Sequence, residues 1–279
     1  TNTSGISEMS PCFVGDPGAP HPPAYLGGEI LYSMPFFQPD AEIWQANYDI
    51  QPANSGTLKL QRVSAAGTAY GMVNWGPVSV PAGGVTPITP DDMVIVWTGG
   101  AGPQIFRADN FGAGWVSTQL TFDTDDKSTP WIAWNGGKII YRGDWSAGEG
   151  LRVMNHNGTG DDNWDVPGGY ADVRYPAMSR DGQWVVYTKN TGAGYTIYAR
   201  HITQPAASEV IIASGLSVFG NPPAAQFDPE KTKVVYAKYD GTQYDLYATD
   251  ITVDEMTKTL SVGLERQLTA TPGVDETDP

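Results

Sequence analysis

Short apolar runs, each closed by an aromatic, recur along this chain: Ile30-Leu31-Tyr32, Ile95-Val96-Trp97, Ile139-Ile140-Tyr141, Val185-Val186-Tyr187 and Val234-Val235-Tyr236. The aromatics follow one another at steps of 65, 44, 46 and 49 residues. A second apolar run trails each one, as Ile43-Trp44-Gln45-Ala46, Ile105-Phe106-Arg107-Ala108, Leu151-Arg152-Val153-Met154, Thr196-Ile197-Tyr198-Ala199 and Asp245-Leu246-Tyr247-Ala248. Runs this short, rich in β-branched and aromatic residues, predict strands rather than helices. Turn residues stand beside or between them: Asn135-Gly136-Gly137, Arg180-Asp181-Gly182, Asp228-Pro229-Glu230 and Asp240-Gly241, types that tolerate positive φ or preset it. Prolines 87, 130, 176 and 223 recur at 43, 46 and 47 residues, each where a strand can begin without its N–H. Matching polar links, Gln119-Leu120-Thr121 and Gln267-Leu268-Thr269, lead on to Pro130 and Pro279. Only residues 253–260 look helical, and they are too short to distinguish a helix from an extended turn.

A period of about 40–50 residues with several strands in each copy is the signature of a β-propeller built of four-stranded antiparallel blades. The expected fold class is therefore all-β, with five repeats visible. An irregular β-sandwich would not keep its register through five units.

Composition narrows the function classes. The 279 residues carry 16 basic against 31 acidic side chains, a formal charge of −15, which repels phosphate and so argues against nucleic acid and anionic membrane surfaces as partners. Charged residues are only 17%, while 9 Trp, 14 Tyr and 8 Phe must be packed, so neither a coiled coil nor a disordered acidic chain fits. The single cysteine, Cys12, excludes an internal disulfide and every CxxC or CxxCH motif. The longest apolar run, Met93-Val94-Ile95-Val96-Trp97, falls far short of the roughly 20 residues that cross a bilayer. Thr1 opens the sequence without a Met or an apolar leader, as expected either of a removed signal peptide or of numbering that begins at an internal boundary. The Thr-, Gly-, Asn- and Trp-rich, lysine-poor composition reads as periplasmic or extracellular.

The segment Tyr175-Pro176-Ala177-Met178-Ser179-Arg180-Asp181-Gly182-Gln183-Trp184-Val185-Val186-Tyr187, with Arg152-Val153-Met154-Asn155-His156-Asn157-Gly158-Thr159-Gly160 and Arg266-Gln267-Leu268-Thr269, resembles the repeat of TolB-type β-propellers. The resemblance covers residues 22–279, with units opening near 22, 87, 130, 176 and 223, after an N-terminal extension over 1–21 that has room for one strand around Cys12-Phe13-Val14. Two copies depart from the usual Asp-Gly turn, as Asp228-Pro229-Glu230-Lys231-Thr232 and Pro90-Asp91-Asp92. Such propellers commonly have six blades. The expectation is that a sixth opens at 279, that another chain or further domain completes the ring, or that five blades close it. Residues 51–84 read as an insertion after the first unit. The stretch Asp172-Val173-Arg174-Tyr175-Pro176 followed by Asp181-Gly182 is also similar to the propeller of hydrazine synthase alpha-subunit-like proteins. That similarity implies an alternative, the propeller portion of a larger extracytoplasmic enzyme or multihaem electron-transfer protein with its catalytic or haem segments elsewhere.

No catalytic constellation is legible. Asp144-Trp145-Ser146-Ala147-Gly148 lacks the first glycine of a nucleophile elbow and reads as a hairpin loop. His21, His156 and His201 are too few and too scattered for a His-based metal site. Acidic clusters at Asp123, Asp125 and Asp126, at Asp161, Asp162 and Asp165, and at Asp275, Glu276 and Asp278 leave a structural calcium open, although none matches a known calcium-loop spacing. A glycosidase pair of carboxylates cannot be judged from spacing. Asn2-Thr3-Ser4 and Asn157-Gly158-Thr159 match the glycosylation pattern. The expectation is accordingly a non-catalytic, secreted or periplasmic module that binds or scaffolds protein partners, with no cofactor and no catalytic or metal residues, as the TolB resemblance implies. Its partner face should be built from the inter-unit links at 123–130, 171–175, 216–221 and 274–278. Asp125, Asp126, Trp131, Trp134, Arg174, Tyr175, Asn221 and Asp275 are its candidate contacts, because aromatic and Arg side chains make good anchors.

Overall fold

The computed structural model describes residues 9–14, 27–34, 42–49, 58–62, 69–77, 92–99, 103–111, 115–133, 137–145, 148–164, 173–192, 194–216, 224–228, 230–239, 241–270 and 272. For 9–99, 108–111, 115–117, 144–145 and 148–149 the description covers the backbone alone. Two compact units divide the chain, Thr1–Val78 with Thr86–Pro130, and Ser79–Val85 with Trp131–Pro279. The first unit holds two sheets in consecutive strand order. One is β1 (Met9–Val14), β2 (Gly27–Met34), β3 (Glu42–Asp49) and β4 (Leu58–Arg62); the other is β5 (Ala69–Pro77), β6 (Asp92–Gly99), β7 (Gln104–Phe111) and β8 (Trp115–Gln119). The third sheet is β9 (Lys127–Ile132), β10 (Lys138–Trp145), β11 (Gly148–Asn155) and β12 (Asp162–Asn163). From Trp131 onward the chain belongs to the second unit. The fourth sheet is β13 (Val173–Met178), β14 (Trp184–Asn190), β15 (Tyr195–His201) and β16 (Val210–Leu216), and the fifth is β17 (Ala225–Phe227), β18 (Lys233–Tyr239), β19 (Tyr244–Asp254) and β20 (Thr259–Gln267). Among the described residues the only helix is a single 3-10 turn, Ala206–Ser208.

The recurrent aromatics lie on the second strand of every sheet, as their spacing predicts. Each faces the aromatic or Arg of the following run across an antiparallel ladder: Tyr32 opposite Trp44, Trp97 opposite Phe106, Tyr141 opposite Arg152, Tyr187 opposite Tyr198 and Tyr236 opposite Tyr247. The unbroken apolar run of β14 has a direct cause. Side chains alternate between the faces of a strand, and here both faces are covered. Trp184 and Val186 join a core with Ala177, Ile197, Val234 and Tyr236, whereas Val185 and Tyr187 join Ile140, Leu151, Trp164 and Val173 on the other side. Each such buried aliphatic contributes roughly 1.5–3 kcal/mol relative to exposure.

Three features differ from the sequence reading. The strand expected around Cys12-Phe13-Val14 is present as β1, but it is the first strand of the first sheet, which therefore begins within 1–21 rather than near 22. β4 and β5 occupy the stretch read as an insertion over 51–84, so the second sheet begins at Ala69, ahead of Pro87. These strands escape the pattern because β4 has five residues and β5 carries Gly71 and Gly76 with a register shift between Ala69 and Val73. Residues 253–260 are a β-hairpin, with Val253 opposite Leu260 and Asp254 opposite Thr259. Asp254 Oδ1 accepts the Met256 and Thr257 N–H groups at 2.9 and 3.1 Å, a local cap of the kind that also starts helices.

The departure from Asp-Gly at the β17–β18 turn is also explained. In the fourth sheet Gly182 (φ 69°) donates its N–H to Ser179 O at 2.8 Å, and in the fifth Lys231 (φ 56°) donates to Asp228 O at 3.0 Å. A lysine thus holds the left-handed position of a glycine, and its ammonium joins Asp181 at 2.5 Å and Glu255. Lys231→Gly and Lys231→Ala both remove the ion pairs, but only alanine retains the left-handed cost. We expect the alanine variant to be less stable than the glycine variant by about 1 kcal/mol, read from denaturant midpoints; coincident midpoints would contradict this account of the turn.

Candidate partner-binding face

The repeated Gln-Leu-Thr links are backbone clamps. In the first unit Leu120 N–H donates to Ile105 O at 2.8 Å, and Ile105 N–H donates back to Thr121 Oγ1 at 2.9 Å. In the second unit Leu268 N–H donates to Leu246 O at 2.7 Å, and Leu246 N–H to Thr269 Oγ1 at 2.9 Å. Each clamp ties the link after an outer strand to the start of that sheet's third strand. Links and middle-strand hairpins therefore lie at the same end of a sheet. The two clamps differ in one respect, since Leu120 is 9% exposed and Leu268 is 55% exposed.

Beyond the first clamp the chain makes a tight acidic loop. Lys127, buried despite its charge, gives its ammonium to Asp123 Oδ1 and, at 2.7 Å, to Asp125 O. Gln104 Nε2 donates to the same Asp125 oxygen at 3.0 Å, and Lys127 N–H closes on Pro103 O at 2.7 Å. The cation of this loop is an ammonium from the chain itself. Asp125 is half-buried and Asp126 exposed. Phe122, immediately after the clamp, is 76% exposed. Sequence reading passed over Phe122; the available signal was a lone aromatic after Gln-Leu-Thr, where the other copy has Ala270.

In the second unit Arg174 and Tyr175 lie half-buried on β13. Tyr175 takes φ 50° directly before Pro176, and the β13–β14 register shifts between Arg174 and Ala177. Thr129 takes φ 46° before Pro130, so the same device recurs on β9. It suits a strand that must bend where proline offers no N–H. Trp131 is half-buried and packs against both apolar clusters of its unit, a core position more than an open one. Trp134, Asn221 and Asp275 lie outside the described residues, as do Asp165, Glu276, Asp278, Ser146, His21 and both residues of interest in the Asn2 sequon. The flanks of Ser146 form a hairpin in which Trp145 pairs with Gly148.

The remaining carboxylates serve a recurring lock. Beneath each second-strand tyrosine of the second unit a carboxylate accepts the phenol proton. Asp161 accepts from Tyr141 at 2.8 Å, Glu209 from Tyr187, and Glu265 from Tyr236 at 2.5 Å. A cation completes each: Arg152 Nε at 2.9 Å from Asp161, Lys189 Nζ at 2.5 Å from Glu209 and Lys238 Nζ at 2.6 Å from Glu265. Lys189 also sits 4.4 Å from the Tyr198 ring centroid, and Lys238 5.0 Å from that of Tyr247. Burial, and then the adjacent carboxylate, push the Tyr187 and Tyr236 hydroxyls well above their ordinary range. Burial opposes the charge on Glu265, but the Lys238 and Tyr236 donors outweigh it and lower its pKa. Burial likewise lowers Lys189, against the pull of Glu209. Tyr187 and Tyr236 therefore hold the blades as neutral hydroxyl donors. His156 and His201 sit at separate sites, in the turn after β11 and at the end of β15. Among the described residues no three His, Cys, Asp or Glu side chains converge as a metal site.

Glu209→Ala takes the carboxylate away from a buried ammonium and should cost about 3–5 kcal/mol. Asp250→Ala, which opens an exposed pair with Arg266, should cost about 1 kcal/mol or less. Thermal unfolding of the two variants distinguishes the lock from surface pairing. Thr121→Val removes the acceptor of the buried Ile105 N–H and should cost about 1–3 kcal/mol, measured in the same way.

No family profile and no curated protein sequence matches the chain. Solved structures do. TolB from Acinetobacter baumannii is 14% identical at a TM-score of 0.55, over 86% of this chain and 53% of that one. The Dos1 propeller is 9% identical at a TM-score of 0.52, over 84% and 62%. A chain of the mitotic checkpoint complex is 10% identical at a TM-score of 0.50, over 87% and 64%. The chain thus spans about half the length of the TolB chain it matches. At these identities the likeness concerns fold, and it agrees with the five four-stranded antiparallel sheets: this chain has a β-propeller fold similar to that of TolB.

Proposed function

We propose that this propeller is a non-catalytic, secreted or periplasmic module that binds or scaffolds a protein partner, and that it needs no cofactor. The observation that carries the reading is Phe122, a largely exposed aromatic on a loop fixed at both ends by backbone hydrogen bonds. Binding energy concentrates in a few aromatic or Arg anchors, and an anchor already held in place loses little entropy on binding. Exposed Asp123 and Asp126 flank it within a chain of charge −15, so the partner surface that fits is apolar with a basic rim. Asp125 sits at the root of this loop; Arg174 and Tyr175 are separate proposed contacts within the second unit. The TolB-like fold and the lysine-poor composition support the extracytoplasmic compartment. Among the described residues no helix is long and apolar enough to cross a membrane.

The test is site-specific photo-crosslinking in the source organism's extracytoplasmic fraction. A crosslinker at Phe122 should capture one protein that a crosslinker at the exposed outer-strand residue Ile211 does not. Phe122→Ser should weaken that complex by about 2 kcal/mol. Identical capture at both positions would refute the assignment of the face. Turnover of peptide, ester or oligosaccharide substrates that Ser146→Ala abolishes would refute the non-catalytic reading.

A further inference from the structure

The tip of the β19–β20 hairpin reaches across to the fourth sheet, all within the second unit. Glu255 binds Lys231, which also holds Asp181 of the β13–β14 turn at 2.5 Å. Trp184 Nε1 donates to Glu255 Oε2 at 3.4 Å. At the other side of the tip Lys258 Nζ donates to Thr203 Oγ1 at 2.8 Å. Thr203 in turn lies against buried His201, with its N–H 3.2 Å and its Oγ1 3.0 Å from Nδ1. A backbone N–H can only donate, so Nδ1 must be an acceptor. The hydroxyl, already accepting from Lys258, gives its own proton to the same nitrogen. The His201 ring is therefore neutral, with its proton on Nε2, and packs edge-on to Trp184 at 5.2 Å and 86°.

We propose that His201, Thr203 and Lys258 form an acid-released latch that fastens the β19–β20 tip to the fourth sheet near neutral pH and frees it when Nδ1 is protonated. Protonation turns the acceptor into a donor facing the Thr203 backbone N–H, which can only donate and cannot turn away. The turn that presents the Thr203 hydroxyl to Lys258 is then pushed off the ring, and the Lys258 contact loses its support. The charges around the ring do not rescue the cation. Lys258 and Lys231 repel it, Glu255 and Asp181 attract it, and burial comes before all four in holding the His201 pKa below its ordinary value. Asp181 does not titrate in the same window, because burial, which would raise it, is outweighed by donors from Lys231, Ser179 and Gln183 that lower it. For a base with a lowered folded pKa, the unfolded or opened form binds the proton first. The latch is thus complete above the ordinary histidine pKa of about 6.5 and weakens as pH falls below it.

Hydrogen exchange of the full chain tests this, with rates corrected for intrinsic chemistry at each pH. Between about pH 7.5 and 5.5, protection of the hairpin amides at 254–259 should fall, by at most roughly tenfold, the full factor for one proton over the unit below 6.5. His201→Asn places a non-titrating amide oxygen near the Nδ1 position, and its hairpin protection should not change between the two pH values. Lys258→Met, an exchange in a turn that leaves the core intact, should show low protection at both. A wild-type hairpin equally protected at both pH values overturns the latch. So does either variant keeping the wild-type drop.

Discussion

A tyrosine hydroxyl at the centre of a sheet, covered on both faces, has to find an acceptor where water does not reach, since an unsatisfied buried hydroxyl costs as much as a hydrogen bond is worth or more. Tyr141, Tyr187 and Tyr236 are each fully buried, and each meets a carboxylate carried by the sheet's outer edge. That carboxylate then requires a cation. In the fourth and fifth sheets Lys189 and Lys238, two residues after the tyrosine, supply it, and in the third Arg152 does so from the neighbouring strand. The lock joins second and outer strands through side chains, independently of the ladder between them. It explains why the repeat closes on tyrosine in three sheets, where phenylalanine would supply equal apolar area.

The fold was legible because its cause is periodic. Strands covered on both faces read as unbroken apolar runs, and five copies in register leave few architectures to choose from. What escaped reading was not periodic. β12 has two residues, and β4 and β5 lack the aliphatic run closed by an aromatic that marks each second strand. The lock partners lie 20, 22 and 29 residues from their tyrosines, a span set by irregular outer strands and bulges, so no spacing rule finds them. Of the candidate contacts, Trp131 was chosen for its residue type, and its place between two apolar clusters depends on sheets that are distant in sequence. Phe122 was missed for the opposite reason: the contrast with Ala270 marks it as an odd aromatic, but its exposure is set by the loop geometry.

The carboxylates illustrate the same limit. A chain of charge −15 invites a search for calcium. Yet Asp123 faces the ammonium of Lys127, and Asp161 is divided between Tyr141 and Arg152. Asp123 and Asp161, which look clustered with other acidic residues along the chain, are each engaged by a partner that the spacing does not show.

The Gln-Leu-Thr clamp uses three backbone groups and one hydroxyl, and it leaves the identity of the next residues unconstrained. Phe122 follows one copy and Ala270 the other, on the same pair of hydrogen bonds. The clamp therefore acts as a socket. A loop inserted after it inherits fixed endpoints whatever its composition, so recognition can diversify between blades without renegotiating the sheet beneath. Exchanging the residues after Thr121 and Thr269 is the natural route to re-addressing such a propeller toward a chosen partner.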